Sequence, residues 1–347
     1  MRMIITKEYL ADDPNWVNSH CLLAGVYGQL SWSQKAIELL KPIVKDQENI
    51  LAENDLVRLK TQFELAHAYY SNREYREAVE LLEHVVKLQG TVLDEIDNDR
   101  MKSENLLVDA YHGTGQTNEL RELLESIVAV REKKLKEENY MLLHLQEDLA
   151  MAYIDYGQME KALRLYEHVV AVRKSFLKMD EPPLLNSQRN LAEIYKVVGQ
   201  VEKAQELLEH VVAMYKNMAG GHGIVLLDVQ GTLALAYREG GHIKKAIGVL
   251  EDAVARCKNT LQLSDLSLLR AQETLAGLYQ EDGQTEKALD LQQRVVAFRQ
   301  NPGQPVDHSL WNSQESLARL YQANGQEEKA SKLREDVAAM RQGTEFP

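Results

Sequence analysis

Three histidines recur in one sequence context, His84, His168 and His210, each within Glu-His-Val-Val. Histidines at regular spacing are the first pattern that would suggest a metal centre, but the ligands of one ion must all converge to about 2 Å from it. Ser126 fills the matching place between His84 and His168. Equivalent residues on successive packed elements stand roughly a helix diameter apart, so these read as surface histidines. Asp109 and Glu147 form a carboxylate pair able to approach across neighbouring elements, as carboxylates of an acidic chain do somewhere in any case. No H-E-x-x-H, nucleophile elbow, Cys-x-x-Cys, G-x-G-x-x-G or phosphate loop of the form G-x-x-x-x-G-K-[ST] is present. The reading is a chain with no catalytic residue, no metal ligand and no cofactor.

The elements that would position such groups follow from one phrase, Leu191-Ala192-Glu193-Ile194-Tyr195 followed by Gly199, Lys203-Ala204 and Val211-Val212. Its tyrosine recurs at Tyr27, Tyr69, Tyr111, Tyr153, Tyr195, Tyr237, Tyr279 and Tyr321, every step being 42 residues. A fixed period of this size marks stacked supersecondary units, none of which buries its apolar face alone. Each unit reads as two helices. In the fifth copy Pro183 suits the first turn of helix A, and Leu185, Leu191, Ala192 and Tyr195 share a face. Gly199 ends that helix in the left-handed conformation. Helix B runs from about Val201 to about Asn217, and Gly220-Gly221-His222-Gly223 returns the chain.

Packing positions repeat as well. The leucine four before each tyrosine stands in all eight copies, from Leu23 to Leu317, as the core anchor. Alanine occupies the positions three before and nine after in seven copies each, which lets helix backbones approach closely. The third copy breaks both, with Val108 and Leu120, and adds Gly113, so a wider helix pair or altered pitch is expected there. Glutamine stands seven before the tyrosine in six copies, at Gln62, Gln146, Gln188, Gln230, Gln272 and Gln314. That position suits either an inter-repeat hydrogen-bond ladder or a half-exposed polar residue with none.

With 347 residues, 44% of them apolar and 27% charged, the composition is that of a soluble helical protein. No run of about 18 apolar residues or signal-peptide core appears, so neither membrane insertion nor secretion is expected. Cys21 and Cys257 lie far apart in the repeat order, which fits a reducing, cytoplasmic setting. A net charge of -13 without a segregated basic stripe argues against nucleic acid as a partner.

The paired helices, the L-A-x-x-Y phrase with its glycine and alanine, and the period of 42 resemble the tetratricopeptide repeat in its long form, as in kinesin light chain. The segments Ala11-Asp12-Asp13-Pro14-Asn15 and Val306-Asp307-His308 are similar to that family's G-x-D-H-P phrase. The chain is also similar to the C-terminal sensor repeats of nucleotide-binding oligomerising (NLR-like) proteins. This implies an all-α, right-handed superhelical α-solenoid of antiparallel helix pairs, with eight 42-residue tetratricopeptide repeats over 14–342. Residues 1–13 would be the end of a preceding helix or an N-terminal cap, and 343–347 a tail.

The resemblance further implies a concave groove lined by helix A at offsets of -9, -6, -2 and +1 from the tyrosine. On that stripe lie Lys60, Phe63, His67 and Tyr70, then Lys102 and Asn105, then His144. Asn186, Arg189 and Lys196 follow, then Arg238 and Arg270. Phe63 and Tyr70 would form an aromatic anchor pocket or else simply contact the first repeat. The family's asparagine six before the tyrosine is matched at Asn105 alone. The expected function is a non-catalytic protein-interaction scaffold, adaptor or sensor module holding a peptide or protein in this groove. The alternative is an enzyme or small-molecule binder that uses the groove as a pocket. Trp16 and Trp32 suggest a docking surface at the first repeat, and self-association through the ends of the stack is a further expectation.

Overall fold

The computed structural model describes residues 11–218, 223–257, 266–300 and 308–344, and among these every regular element is an α-helix. The A helices are α1 (Pro14–Gln29), α3 (Leu56–Ser71), α5 (Asn98–Thr114), α7 (Tyr140–Asp155), α9 (Pro182–Val197), α11 (Gly223–Glu239), α13 (Leu266–Glu281) and α15 (His308–Ala323). The B helices between them are α2 (Ser33–Ile50), α4 (Tyr75–Val92), α6 (Thr117–Arg131), α8 (Met159–Phe176), α10 (Val201–Asn217), α12 (Ile243–Cys257), α14 (Thr285–Arg299) and α16 (Glu327–Thr344). This is an all-α repeat solenoid of helix pairs. The chain divides into two compact units, Met1–Leu165 and Tyr166–Pro347. The expected turn at 219–222, the cap at 1–10, the phrase at 306–307 and residues 345–347 of the tail lie outside the described residues.

Local chemistry sets the helix ends. Asp13, Asp55, Asp97 and Asn139, one period apart, each accept a backbone N–H of the first turn and so satisfy donors that the helix itself leaves free. At the A-to-B corner six copies place glycine at φ between 71° and 79°. Ser31 and Arg73 hold the same corner at 59° and 65° in the first two copies, a conformation costly for any residue with a Cβ.

The core forms where each A helix meets the preceding pair. Leu65 and Ala68 of α3 pack with Ala36, Leu40 and Val44 of α2, and Leu107 and Ala110 of α5 pack with Val79 and Leu82 of α4. The anchor leucine is buried in copies two to eight, whereas Leu23 is 41% exposed because nothing described packs on that side of α1. The alanine positions are buried throughout. In the third copy Val108 and Leu120 are buried in their stead, and α5 and α6 approach closely over less of their length than the other helix pairs within either unit. Gly113 there faces the Tyr75 ring, which would stand 2.8 Å from an added Cβ.

A ladder between repeats does exist, but not at glutamine. The tyrosine hydroxyl donates to a glutamate 28 residues earlier, on the preceding B helix. In the first unit Tyr111 reaches Glu83 at 2.8 Å and Tyr153 reaches Glu125 at 2.9 Å. In the second, Tyr195, Tyr237 and Tyr279 reach Glu167, Glu209 and Glu251 at 2.8, 2.5 and 2.6 Å. Gln293 replaces the glutamate in the last step and reverses the polarity, its amide donating to Tyr321 Oη at 2.9 Å. A lysine eight residues after the tyrosine stands over its ring in copies four to eight, from Lys161 to Lys329. Burial, reinforced by the glutamate, pushes Tyr153, Tyr195 and Tyr237 up to about 12.

The six glutamines are buried rather than half-exposed, and they do not bond to one another. Gln146 donates to Glu132 at 2.8 Å, while Gln188 and Gln314 have no partner for either amide atom among the described residues. Glu104, at this position in the third copy, is paired instead with Arg131, a side chain only 1% exposed.

Candidate partner-binding surface

Because successive A helices repeat in register, their equivalent residues form rows across each unit, and shallow recesses open between neighbouring rows. In the first unit the Lys60 ammonium donates to Asn18 Oδ1, its counterpart one repeat earlier, at 2.7 Å. A recess of about 310 Å³ opens beside them, bordered by Asn18, Lys60, Phe63, Leu93 and Lys102. Phe63 is half-buried, its inner face against the core. It therefore contacts the body of the unit and walls the recess at once. Lys102 pairs with Asp99 at 3.1 Å.

His67 and Tyr70 do not border this recess. The Tyr70 ring stands 5.4 Å from Tyr75 of its own repeat, and the exposed His67 is 6.5 Å from the Phe63 ring. A joint Phe63–Tyr70 pocket is thus absent among the described recesses.

A second recess of about 240 Å³ lies between α5 and α7 and is bordered by Asn105, Asp109, Tyr140, His144 and Asp148. His144 Nδ1 is 3.3 Å from Asp148 Oδ2, and the hydrogen bond to that carboxylate pushes the imidazole up to about 9, so it is cationic at neutral pH. Desolvation raises Asp109, with Asp148 adding to the effect and His112 opposing it.

In the second unit Asn186 Oδ1 accepts from Tyr215 Oη at 3.4 Å, and Arg189 is half-buried close to that tyrosine. Lys196 pairs with Glu193 at 2.8 Å. Arg238 forms a two-pronged bridge to Glu281 of the next repeat, with contacts of 3.0 and 2.5 Å. Arg270 stands 3.6 Å from Asp228, its counterpart one repeat earlier. Much of the positive charge on the stripe is therefore spent between repeats.

A recess of about 540 Å³ lies between α13 and α15, and a wider one of about 730 Å³ is walled by α12, α13 and α14. Arg270, Glu273, Asn312, Ser313 and Arg319 face the first of these, and Glu273 accepts from Arg299 at 3.2 Å and from the Ser313 hydroxyl. Arg299 was missed by the stripe because it ends a B helix. Its position carries Gln47, Gln89, Arg131 and Arg173 in the first four copies, long polar side chains at a helix end, before Tyr215 and Cys257 interrupt the series. Asn312 lies on the expected stripe, nine residues before Tyr321, whereas Ser313 was missed because it stands one residue off it.

Elsewhere, His84 stands 3.8 Å from Glu53, and burial lowers His210. Neither cysteine forms a disulfide, and both are buried. Trp16 is half-buried against the core of the first repeats and stacks on His20 at 3.9 Å, while Trp32 is 48% exposed with Lys35 over its ring. Among the described residues no group of three or more His, Cys, Asp or Glu converges as metal ligands, and no helix is long and apolar enough to cross a membrane.

Comparison with known proteins gives a consistent picture. The tetratricopeptide repeat family profile matches residues 183–259 and, in a second form, 64–99. Nearly identical TPR-like repeats from Podosopora anserina, assigned to a kinesin light chain, are 40% identical over 60% of this chain and all of that one, with a TM-score of 0.55. The signal-transduction ATPase (STAND) protein with a tetratricopeptide repeat sensor from Pyrococcus horikoshii is 15% identical. The match covers 88% of this chain and 44% of that one, with a TM-score of 0.61. A tetratricopeptide repeat protein from Parabacteroides merdae is 13% identical over 81% of this chain and 93% of that one, with a TM-score of 0.56. At such identities the last two speak for the fold alone. Among curated proteins, none matches the chain.

Proposed function

Because the chain belongs to the tetratricopeptide repeat family, with repeats of the kinesin light chain kind, we propose that it is a non-catalytic cytoplasmic scaffold that holds a peptide or protein partner along its A helices. The observation that carries this reading is the division of labour between the two helix types. The conserved-period tyrosines and the glutamates of the B helices are consumed in joining repeats. Side chains on the A helices differ from copy to copy and border open recesses of 240 to 540 Å³. A repeated frame with a varied surface suits recognition of an extended ligand, whose successive side chains meet successive recesses.

The groove residues divide accordingly. Lys60, Phe63 and Lys102, then Asn105 and His144, and then Arg270 with Arg319 contact the partner. Arg238, held by a two-pronged bridge to Glu281 of the next repeat, and Lys196, largely buried against Glu193, are the least free of the row to turn toward a partner.

The test is selection from a random peptide library on the immobilised chain, followed by titration against two variants, Lys60→Glu/Lys102→Glu and Arg270→Glu/Arg319→Glu. All four side chains are exposed, so circular dichroism should be unchanged. Binding weakened at least tenfold in one of the variants supports the reading. Failure to select any peptide, or binding indifferent to both variants, refutes it.

A further inference from the structure

Within each unit, an A helix that follows a helix pair buries one stripe against it, at eight, four and one residues before its tyrosine. Thr61, Leu65 and Ala68 occupy it in α3, and Ser103, Leu107 and Ala110 in α5, all buried. In α1 the same stripe reads Ser19, Leu23 and Val26, and it is exposed: Leu23 by 41% and Val26 by 48%. Beside it, Leu22 is 73%, Leu30 52% and Trp32 48% exposed. Leu22, Val26 and Leu30 follow at four-residue intervals, so the exposed side chains form one continuous strip.

We infer that this face of α1 is a self-association surface, occupied by the same face of a second copy of the chain about a two-fold axis. Two observations select that occupant. The first is area. Scaled to ordinary side-chain surfaces, the exposures amount to on the order of 500 Å² of apolar surface, so a two-fold pair removes roughly 1,000 Å² from water, the size at which a specific interface holds. A patch of this size is among the largest that a monomer exposes, and such patches are often functional.

The second is the character of the last B helix, the other surface of the chain able to continue the stack. Thirteen residues after the tyrosine, six copies carry an apolar residue, including the buried Leu40, Leu82, Leu124 and Leu250. In α16 that position is Arg334, which pairs with Glu315, and Ser331 and Ala338 are exposed beside it. A strip of leucine and valine gains nothing on an arginine-bearing face, so head-to-tail stacking is disfavoured. An isologous contact buries the apolar strip on both copies at once.

The test is sedimentation velocity of the full chain from the low to the high micromolar range. Wild type should populate a dimer, and Leu22→Lys/Val26→Lys should weaken it at least tenfold. Val197→Lys, at a residue 64% exposed on α9, should leave it unchanged. A wild-type chain that stays monomeric overturns the inference. So does a dimer that survives Leu22→Lys/Val26→Lys.

Discussion

Replacing Glu104 by glutamine removes the charge that balances the most deeply buried cation described in the chain. Arg131 is 1% exposed and the Glu104 side chain 5%. Glu104 accepts from Arg131 through one oxygen and from Arg100 Nε at 2.9 Å through the other. Arg131 Nη1 has no partner among the described residues, and burial already weakens the hold of the guanidinium on its proton. Removing one partner of a buried ion pair costs about 3–5 kcal/mol, because the remaining charge is stranded in a poor solvent. The glutamine keeps an acceptor oxygen, so the expected cost of Glu104→Gln is about 2–4 kcal/mol.

The repeats themselves supply the compensating change. In the second copy the equivalent residues are Gln62 and Gln89, both buried. Glu104→Gln/Arg131→Gln therefore reproduces a pair that the fold already accommodates. Its cost should be about 1–2 kcal/mol, mainly for the space left by the shorter side chain. The two single changes should sum to more than the double by about 2 kcal/mol or more, a coupling expected of residues in direct contact. Urea unfolding followed by circular dichroism measures all three. Hydrogen exchange along α5 and α6 locates the effect, since a repeat array need not unfold in one step. Additivity of the two single changes would falsify the reasoning, as would a Glu104→Gln cost below about 0.5 kcal/mol, the range of an ordinary surface substitution.

Other perturbations follow from the ladder and the corners. Raising the tyrosine pKa from 10 to about 12 means that the stabilisation is present in full below pH 10 and is lost between pH 10 and 12. Tyr153→Phe/Tyr195→Phe/Tyr237→Phe should lower stability at pH 7 by about 1 kcal/mol per site and flatten the alkaline unfolding curve; an alkaline curve identical to wild type would sink the assignment. Gly113→Ala should destabilise by about 1–2 kcal/mol because its Cβ meets the Tyr75 ring at 2.8 Å, against a helix-propensity gain of about 1 kcal/mol. Gly277→Ala, with nothing within 4 Å, should instead stabilise by about 1 kcal/mol, so thermal melts of the two variants should shift in opposite directions.

What the sequence by itself determined was everything that depends on neighbours along one helix or around one corner. The eight tyrosines and the corner glycines lie within a few residues of the element they shape, and the helix ends of the fifth copy, Val201 and Asn217, were legible residue by residue. The anchor leucine was legible as well, although its burial depends on a covering repeat, which is why Leu23 alone of the eight is exposed. The tertiary structure decided which groups meet across repeats. In the sequence only the glutamines looked able to form a ladder. The hydroxyl of the tyrosine reaches Glu167 and its equivalents because the B helix presents them at the right height, a matter of helix tilt that spacing does not encode. The same holds for the surface. Arg238 and Arg270 lie on the expected stripe, but their carboxylate partners sit one repeat away, and charge pairing at that range is set by how two helices are juxtaposed rather than by the order of residues in either.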